Sequence, residues 1–368
     1  MKKMFVSLML MFSIFITGSV SATPNISGDV RGVTFFYLDG VAEDFPWVLA
    51  NQYDPAIRAK IDALLTQYRS AGVNWIRLLV AYNHFPNRSE VEPVPSATLI
   101  REVNDFMAIT RSGSNAGAFT IELVLVTQTD SNGLFTDVSP YLHDKLWYKT
   151  WIDNLNYTNL GMIMLGGDLS PCYLSGCEGD KVAVQPLPMN HGAWIKSIWA
   201  WKQSYAPFLN ASYEVIGVQG NSNNNPLLIS KLATWMNANT PSNPIVAAAL
   251  YVSLPSGSTW QSYATATNAI LDSYASVSSK ALWIDEYGMS FGTNWTVQDQ
   301  VAAYQGFLGA SVCMRQKRYS KFAWVAGNDY PYTGSNWYGL VASFNGTTPA
   351  MQPAWSDLSL YYNLQTCP

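Results

Sequence analysis

One stretch of the sequence decides the fold: Ala281-Leu282-Trp283-Ile284-Asp285-Glu286-Tyr287-Gly288. Four apolar residues are followed directly by two acids, an aromatic residue and a glycine. A strand that is covered on both faces of a parallel sheet is a continuous apolar run of this kind. The stretch therefore predicts a buried parallel strand that delivers a carboxylate, Glu286, to a cleft.

Apolar runs of the same kind recur along the chain and alternate with amphipathic helices. We predict eight strands: Gly32–Leu38, Trp75–Ala81, Ile121–Thr127, Met162–Leu165, Glu214–Val218, Ile245–Tyr251, Ala281–Ile284 and Phe322–Val325. Helices are predicted from Asp54-Pro55 onward and near 97–111, 141–155, 192–204, 226–237, 258–277, 297–316 and 354–363. Eight strand–helix units in one run favour an α/β fold, a (β/α)8 TIM barrel, over a doubly wound sheet. No G-x-G-x-x-G motif follows the first strand, so the dinucleotide-binding fingerprint is missing.

The start of the chain has the pattern of a secretion signal. Lys2 and Lys3 precede an apolar core, and Val20-Ser21-Ala22 provides small residues for cleavage. We expect residues 1–22 to be removed, leaving one barrel domain over 23–368, secreted to an extracellular or periplasmic location. A retained anchor is the alternative, but no other segment is long and apolar enough to span a bilayer.

Composition limits the partners of the chain. Charged residues make up 12% and the net charge is −4, so no basic surface indicates a nucleic-acid partner. Aromatic residues make up 14%, with 14 Trp. Some of them will fill the core, but exposed rings can also stack against the apolar C–H face of a sugar. We expect a monomer with a carbohydrate ligand and no stable membrane anchor.

Four cysteines follow the signal segment, and an even count in an oxidising compartment predicts two disulfides. The expected pairs are Cys172 with Cys177, and Cys313 with Cys367. The three histidines do not form a ligand-spaced cluster with these cysteines, so we expect no metal and no other cofactor. Those histidines are His84, His143 and His191.

The active site of a (β/α)8 barrel lies at the carboxyl ends of its strands, so each predicted strand nominates candidates. In chain order they are Arg77, Tyr82, Asn83, His84, Gln128, Asp130, Gly166, Gly167, Asp168, Gln219, Asn221, Tyr251, Glu286, Trp324, Asn328 and Asp329. Acids, amides and aromatic residues dominate this set, and it contains no nucleophilic Ser or Cys. Cleavage of a glycosidic bond needs such an inventory, with two carboxyls at its centre.

The chain resembles the retaining (β/α)8 glycoside hydrolases of the cellulase- and mannanase-like clan over nearly all of 23–368, and three segments carry the resemblance. They are Gly72-Val73-Asn74-Trp75-Ile76-Arg77-Leu78, Trp283-Ile284-Asp285-Glu286-Tyr287-Gly288 and Phe322-Ala323-Trp324, the last followed by Trp337-Tyr338-Gly339-Leu340-Val341 and Pro353-Ala354-Trp355. The resemblance implies a double-displacement mechanism in which Glu286 is the nucleophile, supported by Arg77. The residues expected to bind the sugar are Arg77, His84, Tyr251, Trp324, Trp337 and Asn328.

The chain departs from that family at strand four. The family usually ends this strand in Asn-Glu-Pro, whose Glu is the acid/base, whereas here Leu165-Gly166-Gly167-Asp168-Leu169-Ser170-Pro171 stands in its place. Asp168 then becomes the expected acid/base. Its carboxyl sits one methylene further back, so its distance from Glu286 could exceed the ~5–5.5 Å of a retaining pair.

Several alternatives stay open at this point. The backbone could bulge inward at Asp168, the acid could be Glu178 or Asp130, or the barrel could bind sugar without cleaving it. Asp168 could equally be a turn residue, and Glu286 a structural acid paired with Arg77. Transfer of the glycosyl group to a second sugar would use the same site. The sequence does not identify the sugar or the linkage.

Overall fold

A computed structural model describes residues 30–35, 37–39, 43–81, 94–126, 141–166, 191–219, 227–252, 254–289, 291–315, 321–322, 331–332, 336–337 and 339–364. Within these ranges the largest sheet has nine strands, all paired in parallel, in the order β5-β4-β3-β2-β1-β9-β8-β7-β6. The strands are β1 (Val30–Phe35), β2 (Trp75–Ala81), β3 (Thr120–Val126), β4 (Leu160–Leu165), β5 (Ala211–Ser212), β6 (Glu214–Gln219), β7 (Ile245–Tyr251), β8 (Ala281–Glu286) and β9 (Lys321–Phe322).

The sheet closes on itself through one chain segment. Its two outermost strands, β5 and β6, are separated only by Tyr213. β5 pairs with β4 on one side and β6 pairs with β7 on the other, so residues 211–219 act together as the fifth strand of a barrel. The predicted (β/α)8 barrel is thereby confirmed.

The predicted strand positions agree closely with the observed ones. β2 and β7 have the predicted limits, and β4 begins two residues earlier, at Leu160. β9 is described only at Lys321–Phe322, where it pairs with β1 and with β8. The short strand Ala211–Ser212 was not predicted, because the predicted strand five began at Glu214 and the two residues before it, Ser212 and Tyr213, do not extend its apolar run.

Nine α-helices are described, and eight of them match the predicted ones. They are α1 (Phe45–Asn51), α2 (Pro55–Ser70), α3 (Ala97–Ile109), α4 (Leu142–Asn154), α5 (His191–Tyr205), α6 (Leu227–Asn239), α7 (Trp260–Val277), α8 (Val297–Arg315) and α9 (Ala354–Asn363). At the start of α2 the Asp54 carboxylate accepts from the backbone N–H groups of Ala56 and Ile57, as expected of an N-cap. The unpredicted helix is α1, which begins after Asp44, another capping acid.

The core has two layers, one outside and one inside the barrel wall. The larger layer lies between strands and helices, where β3 contributes Ile121, Leu123 and Leu125. The alternate residues of the strands fill the barrel interior. That inner cluster consists of Val30, Trp75, Val124, Met162, Met164, Ile245, Ala247 and Trp283. Side chains thus plug the barrel below its carboxyl end.

Two indoles set the packing inside the barrel. The rings of Trp75 and Trp283 meet edge to face with centroids 5.1 Å apart. Gly161 of β4 makes room for them, because a Cβ atom there would lie 2.3 Å from Thr120 Cγ2 and 2.4 Å from the Trp75 ring. A glycine is therefore required at this close approach.

Short antiparallel strands and α9 follow the barrel strands. β10 (Pro331–Tyr332) pairs with β11 (Asn336–Trp337), and β12 (Val341–Asn345) pairs with β13 (Thr348–Met351). At the far end of α9, the Tyr362 hydroxyl donates to the Gly32 carbonyl at 2.8 Å. In the part of the chain described, no helix is long and apolar enough to cross a bilayer.

Candidate active site

Glu286 is the last residue of β8 and lies at the carboxyl end of the barrel, 9% exposed. Its neighbour Tyr287 is buried, stacks on Phe307 and donates its hydroxyl hydrogen to the carbonyl of Ala303. Both of those partners belong to α8. Tyr287, directly after Glu286 in the chain, is therefore held against α8. This contact fixes the end of the strand that carries the Glu286 carboxylate.

A β-bulge turns Glu286 toward the barrel interior. Trp283 points inward and Ile284 outward, so a regular strand would direct Asp285 inward and Glu286 outward. The pairing with β7 instead advances from Ile284 opposite Ala248 to Glu286 opposite Ala249, leaving Asp285 as an extra residue. Both acids consequently reach the same interior arginine. Bulges of this kind are frequent where a strand aims a side chain into an active site.

Both carboxylate oxygens of Glu286 are held by side chains from other strands. Arg77 of β2 donates from Nη1 to Glu286 Oε1 at 2.7 Å. The hydroxyl of Tyr251, the last residue of β7, donates to Glu286 Oε2 at 2.6 Å. Two short hydrogen bonds from different strands therefore fix the orientation of this carboxylate.

Two further acids lie on the inner side of Arg77, and both are completely buried. Arg77 Nε is 3.3 Å from Asp285 Oδ2 and 3.6 Å from Glu122 Oε1. The second oxygen of Glu122, Oε2, accepts from Trp75 Nε1 at 3.1 Å. Burial raises the pKa of Glu122 well above its ordinary value, and the charge of Asp285 and a hydrogen bond with it add to the rise. Arg77 and Trp75 act in the opposite direction on this pKa.

Of the predicted site residues, the structure brings Glu286, Arg77 and Tyr251 together. Four others lie outside the described residues: His84, Asp168, Trp324 and Asn328. So do the alternative acids Asp130 and Glu178 and the cysteines Cys172, Cys177 and Cys367. The backbone of Trp337 pairs with Pro331 in the β10–β11 hairpin, and the backbone of Cys313 lies in α8.

The end of strand four is described only as far as Gly166. This residue has φ +90°, a conformation that L side chains rarely adopt, and its N–H bonds to the Leu125 carbonyl at 3.0 Å. The chain therefore turns sharply directly before Gly167 and Asp168. A glycine at this point is required by the backbone, whatever role Asp168 has.

The sequence analysis missed Glu122 as part of the site. A signal was present, because Glu122 is the one charged residue in the predicted strand Ile121–Thr127. Its position two residues after the start of β3 also matches the position of Arg77 in β2, and the two residues are paired in register. Among the described residues, no group of three or more His, Cys, Asp or Glu could hold a metal ion.

Comparison with known proteins gives structural neighbours alone, since no family model and no curated protein matches the sequence. The fold is similar to an endo-β-1,4-glucanase from Xanthomonas axonopodis pv. citri, with 12% identity, a TM-score of 0.57, and coverage of 91% of this chain and 98% of that one. It is similar to a family 5 mannosidase from Rhizomucor miehei in complex with mannosyl-fructose, with 11% identity, a TM-score of 0.57, and 93% coverage of each chain. A family 5 xyloglucanase from Paenibacillus pabuli has 12% identity and a TM-score of 0.57, with coverage of 91% and 99%. At such identities the similarity concerns the fold, a barrel used by glycoside hydrolases.

Proposed function

We propose that this protein is a secreted glycoside hydrolase that cleaves an oligo- or polysaccharide by a retaining double displacement. One observation carries the proposal: a partly exposed carboxylate, Glu286, stands at the carboxyl end of the barrel with both oxygens held by Arg77 and Tyr251. Neighbours of the same fold include a glucanase, a mannosidase and a xyloglucanase. The substrate class we propose is therefore a β-linked glucan, mannan or xyloglucan.

In the first step, a Glu286 oxygen attacks the anomeric carbon while Asp168 gives its proton to the leaving glycosidic oxygen. A covalent glycosyl–enzyme ester forms and the first sugar product departs. In the second step Asp168 takes a proton from water, the water oxygen attacks the anomeric carbon, and Glu286 is released as a carboxylate. Two inversions leave the anomeric configuration unchanged.

Arg77 and Tyr251 have separate roles in this mechanism. Arg77 places a positive charge beside Glu286 and holds its Oε1 in position before attack. The Tyr251 hydroxyl fixes the second oxygen and so orients the carboxylate plane toward the substrate. A sugar acceptor in place of water would give transglycosylation at the same residues.

The test is a screen of the mature protein against glucan, mannan and xyloglucan substrates, with the anomeric configuration of the first product followed by NMR. Glu286→Gln keeps the shape of the side chain and removes the nucleophilic anion, so its turnover should fall by orders of magnitude. Asp62→Asn is the matched control, because Asp62 is a surface acid on α2 with 47% side-chain exposure. Near-normal turnover by Glu286→Gln, or inverted product, would contradict the proposal.

A second candidate function, sugar binding without cleavage, is favoured by the strand-four departure. Asp168 replaces the longer Glu of the family that this chain resembles. The backbone also turns at Gly166, two residues before Asp168. A pseudo-enzyme of this kind would bind an oligosaccharide in calorimetry and release no reducing sugar over days. His84, Trp324, Trp337 and Asn328 are the side chains proposed to contact that sugar in either case.

Secretion and disulfide formation complete the proposal. The N-terminal sequence of protein recovered from outside the cytoplasm should begin near Thr23. Peptide mapping without reduction should find Cys172 joined to Cys177, and Cys313 joined to Cys367. The longer bridge would stabilise the fold by roughly 3–4 kcal/mol in the chain-entropy view.

A further inference from the structure

Three carboxyls converge on one guanidinium in the upper barrel. Arg77 meets Glu286 through Nη1 at 2.7 Å, and through Nε it meets Asp285 at 3.3 Å and Glu122 at 3.6 Å. Glu286 is 9% exposed, whereas Glu122 and Asp285 are 0% exposed. Of these three acids, the proposed reaction uses only Glu286. The role of the buried acids Glu122 and Asp285 is a separate question.

We infer that Glu122 and Asp285 hold one proton between them, and that this buried pair limits how strongly Arg77 binds the carboxylate of Glu286. Glu122 Oε1 and Asp285 Oδ2 approach the same atom, Arg77 Nε, at 3.6 and 3.3 Å, so the two buried carboxyls lie side by side. A carboxylate can only accept, so a hydrogen bond between the two requires that one of them carries a proton. Two adjacent buried anions beside a single cation would also be strongly unfavourable.

The geometry assigns the proton to Glu122. Asp285 lies closer to Arg77 Nε than Glu122 does. Glu122 Oε2 is occupied by the Trp75 N–H, so the hydrogen would sit on Oε1. In the described residues, neither Glu122 Oε1 nor either oxygen of Asp285 accepts a hydrogen bond from a donor group. The charged groups facing Glu122 there are Arg77 from β2 and Asp285 from β8.

The consequence for Glu286 follows from the sharing of Arg77. The Asp285 carboxyl on Nε shares the guanidinium with Glu286 on Nη1, so Arg77 binds Glu286 less tightly than an unshared guanidinium would. A carboxylate whose charge is fully compensated attacks an electrophile less readily. The β8 bulge creates this arrangement, since it places two consecutive acids on one arginine. Glu122 and Asp285 are thus positioning residues for the proposed nucleophile.

The shared proton is tested without any assay of activity, by comparing the pH dependence of unfolding of the wild type and Glu122→Gln. The amide copies the neutral acid and cannot ionise. Below the ordinary pKa of 4.5, Glu122 is protonated in the folded and the unfolded wild-type chain. Above it the unfolded chain loses this proton while the folded one keeps it, so wild-type stability falls as the pH rises toward the raised pKa.

Relative to Glu122→Gln, the unfolding constant of the wild type should therefore rise by up to about tenfold per pH unit above the ordinary pKa. Asp62→Asn, at the surface of α2, should show no such divergence from the wild type. If the ratio of the unfolding constants of the wild type and Glu122→Gln does not change with pH, the shared proton is overturned. If Glu122→Gln does not fold, NMR of the wild type with ¹³C-labelled glutamate carboxyls decides. One carboxyl that stays protonated at neutral pH supports the inference, and ordinary titration of every glutamate overturns it.

The effect on Glu286 rests on the proposed function and is tested separately through kcat and KM. Asp285→Asn removes the competing carboxylate, so Arg77 binds Glu286 more tightly. We expect kcat to fall several-fold while KM changes little. Glu122→Gln keeps a neutral partner for Asp285 and should lower kcat less. An unchanged kcat in Asp285→Asn overturns this second part. A protein without glycosidase activity would refute the proposed function and leave the unfolding result intact.

Discussion

Replacing Arg77 removes the cation that the upper barrel carboxylates share. The guanidinium lies 2.7 Å from Glu286 and 3.3 Å from Asp285, and its side chain is 1% exposed. Arg77→Gln leaves those carboxylates buried without their cation. Breaking a buried ion pair in this way costs about 3–5 kcal/mol, because the remaining charge stays out of water. We expect a loss of that size in the free energy of unfolding at neutral pH.

The loss should shrink as the pH is lowered. Without the guanidinium, the native carboxyls bind protons more readily than those of the unfolded chain, so the variant gains stability relative to the wild type as the pH falls. Urea unfolding followed by tryptophan fluorescence measures the difference at about pH 8 and about pH 5.

Arg58→Gln provides the control for the Arg77 variant. Arg58 pairs with Asp62 at 3.1 Å, but the two side chains are 37% and 47% exposed. A surface pair of this kind contributes about 1 kcal/mol or less and should respond little to pH in this range. An Arg77→Gln variant that loses under about 1 kcal/mol at both pH values would refute the idea that Arg77 compensates buried charge.

Other predictions concern the same region. Tyr251→Phe removes the 2.6 Å hydrogen bond that orients the Glu286 carboxylate, worth about 1.5–3 kcal/mol for a charged acceptor, so kcat should fall by about tenfold or more. An unchanged kcat would contradict this. Asp168→Ala should lose least activity on substrates with good leaving groups, and azide should restore its second step. Equal impairment on all substrates would point to another acid. Gly161→Ala should destabilise the barrel by about 1–3 kcal/mol in thermal or urea unfolding, because its Cβ would overlap the Trp75 ring. A variant as stable as the wild type would show that this packing adjusts freely.

The barrel could be predicted from the sequence because parallel strands buried on both faces are continuous apolar runs. Trp75–Ala81 and Ile245–Tyr251 have the predicted limits, and Glu286 stands at the tip of its strand. Arg77 was also predicted, from its place within strand two and from the resemblance of that strand to the glycoside hydrolase clan. These features depend on local composition, which a single sequence displays directly.

The features that were missed depend on contacts between distant segments. The β8 bulge is defined by its register with β7, and alternation alone would have directed Asp285 and Glu286 to opposite faces. The proton affinity of Glu122 arises from burial and from Asp285, which is distant in the sequence. Helix α1 is only seven residues long, too short for a clear hydrophobic period.

The bond between the Tyr362 hydroxyl and the Gly32 carbonyl joins positions 330 residues apart. Arg31 adds a second bond from Nη1 to the carbonyl of Tyr362, at 2.6 Å. Both bonds lie near the start of β1, at the opposite end of the barrel from Glu286. The first strand therefore gains these two bonds only after the chain has been synthesised as far as Tyr362. Contacts of such long range make folding slow. In a growing chain, the contact between β1 and α9 therefore forms only once α9 is available.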